Sequence, residues 1–224
     1  MAIKPVPYLP VPEELPTFSA SERLLQKVLP SFLAPELRLG VLFACNLADY
    51  AATAPREDVT IHWFEKPEGF TPEQTAFMVG QVGRIEWVGW RLRMLLGRCW
   101  LALAQAGGRT VHFTFVQFSG GGCRPYRRIM LPRTAIVGLC FTAPEARGRR
   151  IYPYVVSQAL GRLKAAGYAW AYIQTDVMNA PSLKGIRSDP DWKHVGRLLL
   201  RRRALGRFRI EAATIDNPEG TVFG

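Results

Sequence analysis

The chain has 224 residues, a formal net charge of +11 from 29 Lys and Arg against 18 Asp and Glu, and 48 % hydrophobic residues. That composition is globular and ample for a core, and it excludes a disordered chain. The charge favours acidic partners such as phosphorylated ligands, an acidic carrier protein, nucleic acid or an anionic membrane surface.

No window of 18 apolar residues is free of charge, so no membrane span is expected. The Pro-broken N-terminus lacks the apolar stretch of a secretory signal. Cys45, Cys99, Cys123 and Cys140 lie far apart with no C-x-x-C pair. That spacing argues against a metal site or disulfides and for free thiols in a reducing cytoplasm.

In chain order, Pro5, Pro7, Pro10, Pro12 and Pro16 predict an extended arm over residues 1–18. Ser19 or Ser21 caps a short helix over 21–29 that Pro30 ends. Residues 36–51 (ELRLGVLFACNLADYA) read as an apolar helix weakened by Gly40. Residues 1–55 thus form a Pro-rich arm and helical extension to a domain over 56–224. Thr60–Phe64 is a strand by β-branched and aromatic content. Thr71, Pro72, Glu73 and Gln74 open a helix. Over 84–98, Ile85, Val88, Leu92, Leu95 and Leu96 share one face and Arg91, Arg93 and Arg98 lie elsewhere, an amphipathic pattern.

Two apolar runs, 100–105 and 110–118, flank Gly107-Gly108 and predict a hairpin. A Ser-Gly-Gly-Gly-Cys loop ends at Cys123, and 134–142 is a further strand. Residues 151–166 are helical, with Pro153 tolerated in the first turn and Gly167 as the stop. Residues 169–176 are apolar on both alternations, as in a strand buried on both faces. A short helix over 179–188 and a hairpin over 193–202 and 207–215, turning at 204–206, complete the order. The class is α+β, a mixed and mostly antiparallel sheet with one central β-α-β unit and flanking helices.

Within that unit a strand runs through Pro144-Glu145-Ala146-Arg147-Gly148-Arg149-Arg150 straight into a helix. A helix N-terminus offers unpaired N–H groups and a positive dipole end, which suits phosphate. Three arginines at the same turn add to it. At these residues the chain resembles the GCN5-related N-acetyltransferase (GNAT) superfamily, in which a strand ends at a Pro and an R/Q-x-x-G-x-G/A loop opens the central helix. Arg147 takes the first motif position. Arg150 and Tyr152 stand where the family has Gly or Ala. The resemblance extends over about residues 59–215 in the order of elements.

The resemblance implies transfer of an acetyl or longer acyl group from a CoA thioester to an amine by direct attack. It implies pantetheine beside Cys140, Phe141 and Thr142, and pyrophosphate on the Arg147, Gly148, Arg149, Arg150, Ile151 and Tyr152 loop. It also puts Asn179 and Ser182 near the pantetheine and phosphates. Asn179 alternatively caps the following helix. The family's general-acid Tyr falls on Ile186 here.

Deprotonating the amine calls for a base or a water relay. Asp176, His112 and Glu65 are the candidates. Each has a structural alternative: a loop brace for Asp176, a core histidine for His112, a solvated charge for Glu65. Cys140 with His112 as a nucleophilic pair lacks an evident third group, and a buried thiol is the simpler reading.

The remaining basic clusters (Arg124, Arg127, Arg128 and Arg133; Arg197, Arg201, Arg202, Arg203, Arg207 and Arg209) match no nucleic-acid motif, which argues against nucleic acid. The implied partner is a small-molecule amine. The alternatives are an acyl-carrier-protein-dependent N-acyl amino acid synthase, to which the resemblance is weaker, and an inactive GNAT-like module binding an acidic macromolecule; a homodimer is compatible with either.

Overall fold

The computed structural model describes residues 17–28, 36–118, 133–202 and 208–215. The Pro-rich arm over 1–16, the loop at Cys123 with Arg124, Arg127 and Arg128, and the turn at 204–206 with Arg203 and Arg207 lie outside them. In chain order the elements are α1 (Ala20–Val28), β1 (Glu36–Asn46), β2 (Thr60–Phe64), α2 (Pro72–Val82), α3 (Arg84–Leu95), β3 (Cys99–Ala106) and β4 (Arg109–Phe118). They continue with β5 (Thr134–Thr142), α4 (Ile151–Ala165), β6 (Trp170–Asp176), α5 (Ala180–Arg187), β7 (Lys193–Arg202) and β8 (Phe208–Ile215). All eight strands form one sheet in the order β2-β3-β4-β5-β6-β1-β7-β8. Among the described residues only the β5–β6 pair is parallel, and α4 is its crossover.

The predicted helix starts are present in the side chains, while Pro30, the predicted stop of α1, lies outside the described residues. Ser19 Oγ accepts from Glu22 N while Glu22 Oε2 accepts from Ser19 N, a capping box. Thr71 and Gln74 make the same exchange at α2. Gly107 and Gly108 have φ of +56° and +74°, as the two-residue hairpin between β3 and β4 requires.

Residues 36–51 are corrected from helix to strand. β1 runs antiparallel to β6 on one side and to β7 on the other. Val41, Phe43 and Cys45 pack into one face of the sheet, and Leu42 and Ala44 into the other. A strand buried on both faces reads as a continuous apolar run, which periodicity does not separate from a buried helix. Gly40 also has a strand reason: Gln174 crosses over it, and a Cβ there would lie 2.3 Å from Gln174 Nε2. A boundary at residue 55 therefore cuts through a single sheet.

Helices cover both faces. α4 packs on one through Val156, Ala159, Leu160 and Leu163, joined by Ile186 of α5. α2 and α3 cover the other through Met78, Trp87, Trp90 and Met94, against Leu101, Leu103, Phe113 and Phe115. The α3 helix stands where the pattern put it, but Ile85, Val88, Leu92, Leu95 and Leu96 face solvent. The wide indoles take the buried side; Trp90 stacks on Phe115 with ring centroids 3.9 Å apart.

The segment 47–58 runs as a strap along the outside of α4. Lys164 Nζ donates to Tyr50 O at 2.9 Å, Gln158 Nε2 to Thr53 O at 2.6 Å, and Thr53 N to Ser157 Oγ at 2.9 Å. At the α4 N-terminus Arg56 N donates to Tyr154 Oη at 3.1 Å.

Candidate acyl-donor site

β5 and β6 are joined in parallel only over Thr134–Val137 and Trp170–Ile173. Beyond that point β5 follows β4 as far as Thr142, and β6 follows β1 to the Gly40–Asp176 pair. The two central strands therefore splay. Among the described residues, the side of β5 turned toward β6 has no ladder partner from Gly138 to Thr142. A bulge opens this stretch. Leu139, at φ +52°, falls between the Gly138–Phe115 and Cys140–Thr114 pairs and is exposed.

The splay leads to the start of α4. After a 3-10 turn over Pro144–Ala146, Gly148 has φ +78° and Arg150, in the left-handed region at φ +57°, is the N-cap. No side chain caps this end. Among the described residues, the N–H groups of Gly148, Arg149, Arg150, Ile151 and Tyr152 have no backbone acceptor. This is a row of free donors at a helix N-terminus, the chemistry a pyrophosphate takes. Arg147, Gly148, Arg149 and Arg150 are all exposed around it.

The loop is braced. Arg147 Nε donates to Thr142 O at 3.2 Å, closing the turn back onto β5. Arg56 Nη1 donates to Arg149 O at 2.9 Å, and Arg56 forms a two-pronged pair with Asp58. That guanidinium holds the Asp58 carboxyl below its ordinary range. Arg149 Nη2 also reaches Asp58, at 3.4 Å. Beside the loop is a cleft of about 430 Å³, lined by Tyr50, Arg56, Arg150, Tyr154, Ser157 and Asp189 among others.

The predicted site residues separate into three groups. Cys140, Phe141, Thr142 and the Arg147–Tyr152 loop lie along the splay and its mouth. Asp176 ends β6 on the far side of the splay, where its Oδ1 accepts from Met178 N at 2.8 Å. Asn179 Oδ1 accepts from Ser182 N at 3.2 Å and so caps α5. The Ile186 position is 2 % exposed in the core and offers nothing to the splay.

His112, on β4 and paired with Thr142 of β5, is fully buried. Its Nδ1 lies 2.7 Å from Thr142 Oγ1 and its Nε2 2.7 Å from Thr114 Oγ1. Burial pushes its pKa down to about 3, so the ring is neutral. Cys140 also bonds Thr114, and burial pushes its thiol up to about 12. His112 and Cys140 are thus both neutral and meet through Thr114. Glu65 is drawn aside by an ion pair with Arg162, whose guanidinium lies over Trp63 and Trp100 at 5.1 Å each. Three strand spacings, roughly 14 Å, separate Glu65 from β5.

One phenol enters this region from an unexpected position. Tyr152, in the first turn of α4, has its ring 6.1 Å from that of His112. It also packs against α5: a Cβ on Gly185 would lie 2.7 Å from Tyr152 Cε1. Burial holds its pKa well above the ordinary value, so it remains protonated. The motif alignment assigned Tyr152 to a slot for a small residue.

No protein-family model matches the sequence, and no curated protein matches it. Solved structures do. A tandem GNAT protein from the clavulanic acid biosynthesis pathway aligns with a TM-score of 0.56 at 12 % identity, over 95 % of this chain and 63 % of that one. A GNAT-family acetyltransferase from Colwellia psychrerythraea gives 0.51 at 14 % identity, over 74 % and 56 %. A GCN5-related N-acetyltransferase from Sphaerobacter thermophilus gives 0.50 at 15 % identity, over 88 % and 58 %. The chain matches less than two thirds of the length of each. It has the fold of the GCN5-related N-acetyltransferases.

Proposed function

We propose that the chain transfers an acyl group from a CoA thioester to an amine by direct attack. The observation that carries this reading is the splay of β5 from β6 leading onto the uncapped start of α4. Free backbone groups for a pantetheine amide chain meet free N–H groups for a pyrophosphate in one continuous path. The N–H groups of Gly148 to Tyr152 hold the pyrophosphate, with Arg147, Arg149 and Arg150 around it. The nucleotide end takes the cleft beside Arg150. Asn179 and Ser182 border the pantetheine from α5.

The amine nitrogen attacks the thioester carbonyl carbon. β5 N–H groups turned toward the splay stabilise the oxyanion. The carbon–sulfur bond then breaks, and the leaving thiolate takes the Tyr152 phenol proton. Asp176, or water held by its carboxylate, accepts the proton lost by the amine. His112 and Cys140 act as positioning residues that tie β5 to β4 through Thr114 and Thr142.

Titration calorimetry with acetyl-CoA, a long-chain acyl-CoA and free CoA tests the reading. Binding of all three, weakened at least tenfold by Arg147→Ala plus Arg149→Ala, supports it. No heat from any of the three overturns the CoA-donor form. An acyl-carrier-protein donor is then the next reading, since exposed arginines ring the mouth.

A further inference from the structure

α3 has two apolar faces, and the core accounts for one. Trp87, Trp90 and Met94 turn inward and are 1–6 % exposed. On the opposite side Ile85, Val88, Leu92, Leu95 and Leu96 are 87, 66, 54, 62 and 52 % exposed. At roughly 100° per residue these five fall within about 100° of arc. Arg84 and Arg91 border the stripe on one side and Arg93 lies on the other, with Arg98 just past the helix. Glu86 is the single carboxylate between residues 84 and 98, so the segment carries 4 − 1 = +3.

We propose that this face seats α3 on an anionic lipid surface, with the helix axis in the plane of the interface. The charge argues for that occupant. Against a second copy, a two-fold contact through this face would bring together two segments of charge +3 on chains of net charge +11. Size argues the same way. A stripe one helix wide and about 18 Å long covers far less than the roughly 800 Å² per partner of a stable protein interface. A bilayer needs only a stripe, into which branched apolar side chains sink about 5–10 Å while arginines reach up to the phosphates.

A carrier protein docked on α3 would stand across the sheet from the α4 mouth, because the two helices cover opposite faces. Among the described residues no helix is long and apolar enough to cross a membrane, so the contact is peripheral. This proposal does not depend on the acyl-transfer reading.

Co-sedimentation of the full chain with vesicles tests it, using phosphatidylcholine alone and phosphatidylcholine mixed with phosphatidylglycerol. The wild type pellets with the mixed vesicles and poorly with the neutral ones. Leu92→Gln plus Leu95→Gln leaves the charge unchanged and lowers that affinity at least tenfold. Arg84→Gln plus Arg91→Gln lowers it and flattens its salt dependence. Circular dichroism establishes that each variant keeps the wild-type fold. Three results overturn the proposal. One is no pelleting of the wild type. Another is pelleting that the leucine variant retains, which reduces the contact to general basic charge. The third is a vesicle-free dimer by sedimentation velocity that the leucine variant dissolves, which assigns the face to a second copy.

Discussion

His112 illustrates how a residue type suited to acid–base work is committed to structure instead. Both ring nitrogens are taken by threonine hydroxyls and no part of the ring reaches solvent. Its pKa falls from about 6.5 to about 3 on folding, so below pH 6.5 the unfolded chain binds the proton that the folded one refuses. Stability from this group is complete above pH 6.5 and is lost as pH falls toward 3, by up to about 1.4 kcal/mol per pH unit. Urea midpoints measured across that window should show a shallower acid limb in His112→Gln than in wild type. Equal slopes would remove His112 from the account. Tyr152 is the opposite case, a phenol that burial keeps protonated and that the proposed mechanism uses as the acid. Tyr152→Phe should lower kcat by about 10²–10⁴ while CoA affinity is retained. A variant with full kcat would eliminate Tyr152 as the acid. The Arg147 loop and the Asn179 cap were legible in the sequence because their partners lie within a few residues. The Tyr152–His112–Gly185 packing was not, since it joins β4, α4 and α5, and no local pattern encodes that approach.

At the scale of elements, α5 and α4 meet through a missing side chain. Gly185 leaves the space that the Tyr152 ring fills. Gly185→Ala raises helix propensity by about 1 kcal/mol, but it forces the ring out of place at an overpacking cost of about 1–3 kcal/mol. The measurable consequence is a lower kcat with CoA affinity preserved; kcat equal to wild type would mean that ring position is irrelevant to turnover. Caps, prolines and the Gly-Gly turn located α1, α2 and the β3–β4 hairpin directly, because each acts within four residues. α3 was legible as a helix but not in its orientation. An aliphatic stripe and an indole stripe both satisfy the period, and the contacts that turn the indoles in, such as Trp90 on Phe115, come from β4 and not from the helix's own sequence. β1 failed for the related reason that burial on both faces erases alternation.

Across the whole molecule, β1 converts an apparent extension into the interior of the sheet. Phe43 is 2 % exposed in the same cluster as Val137, Leu160 and Ile173. Phe43→Ala should therefore cost about 3–5 kcal/mol and shift one cooperative transition. Two separable transitions, with only the smaller affected, would mean that residues 36–46 fold apart from the rest. The position of β1 also sets an order in time. Its neighbours end at Asp176 and Arg202, 130 or more residues after Asn46. At synthesis rates of about 5–20 residues per second, an apolar strand with two open edges waits roughly 6–26 s for its first partner. The strand made first is thus among the last to be locked. The nascent chain must shelter it until β6 arrives, which makes the yield of folded protein sensitive to anything that slows translation between β1 and β6.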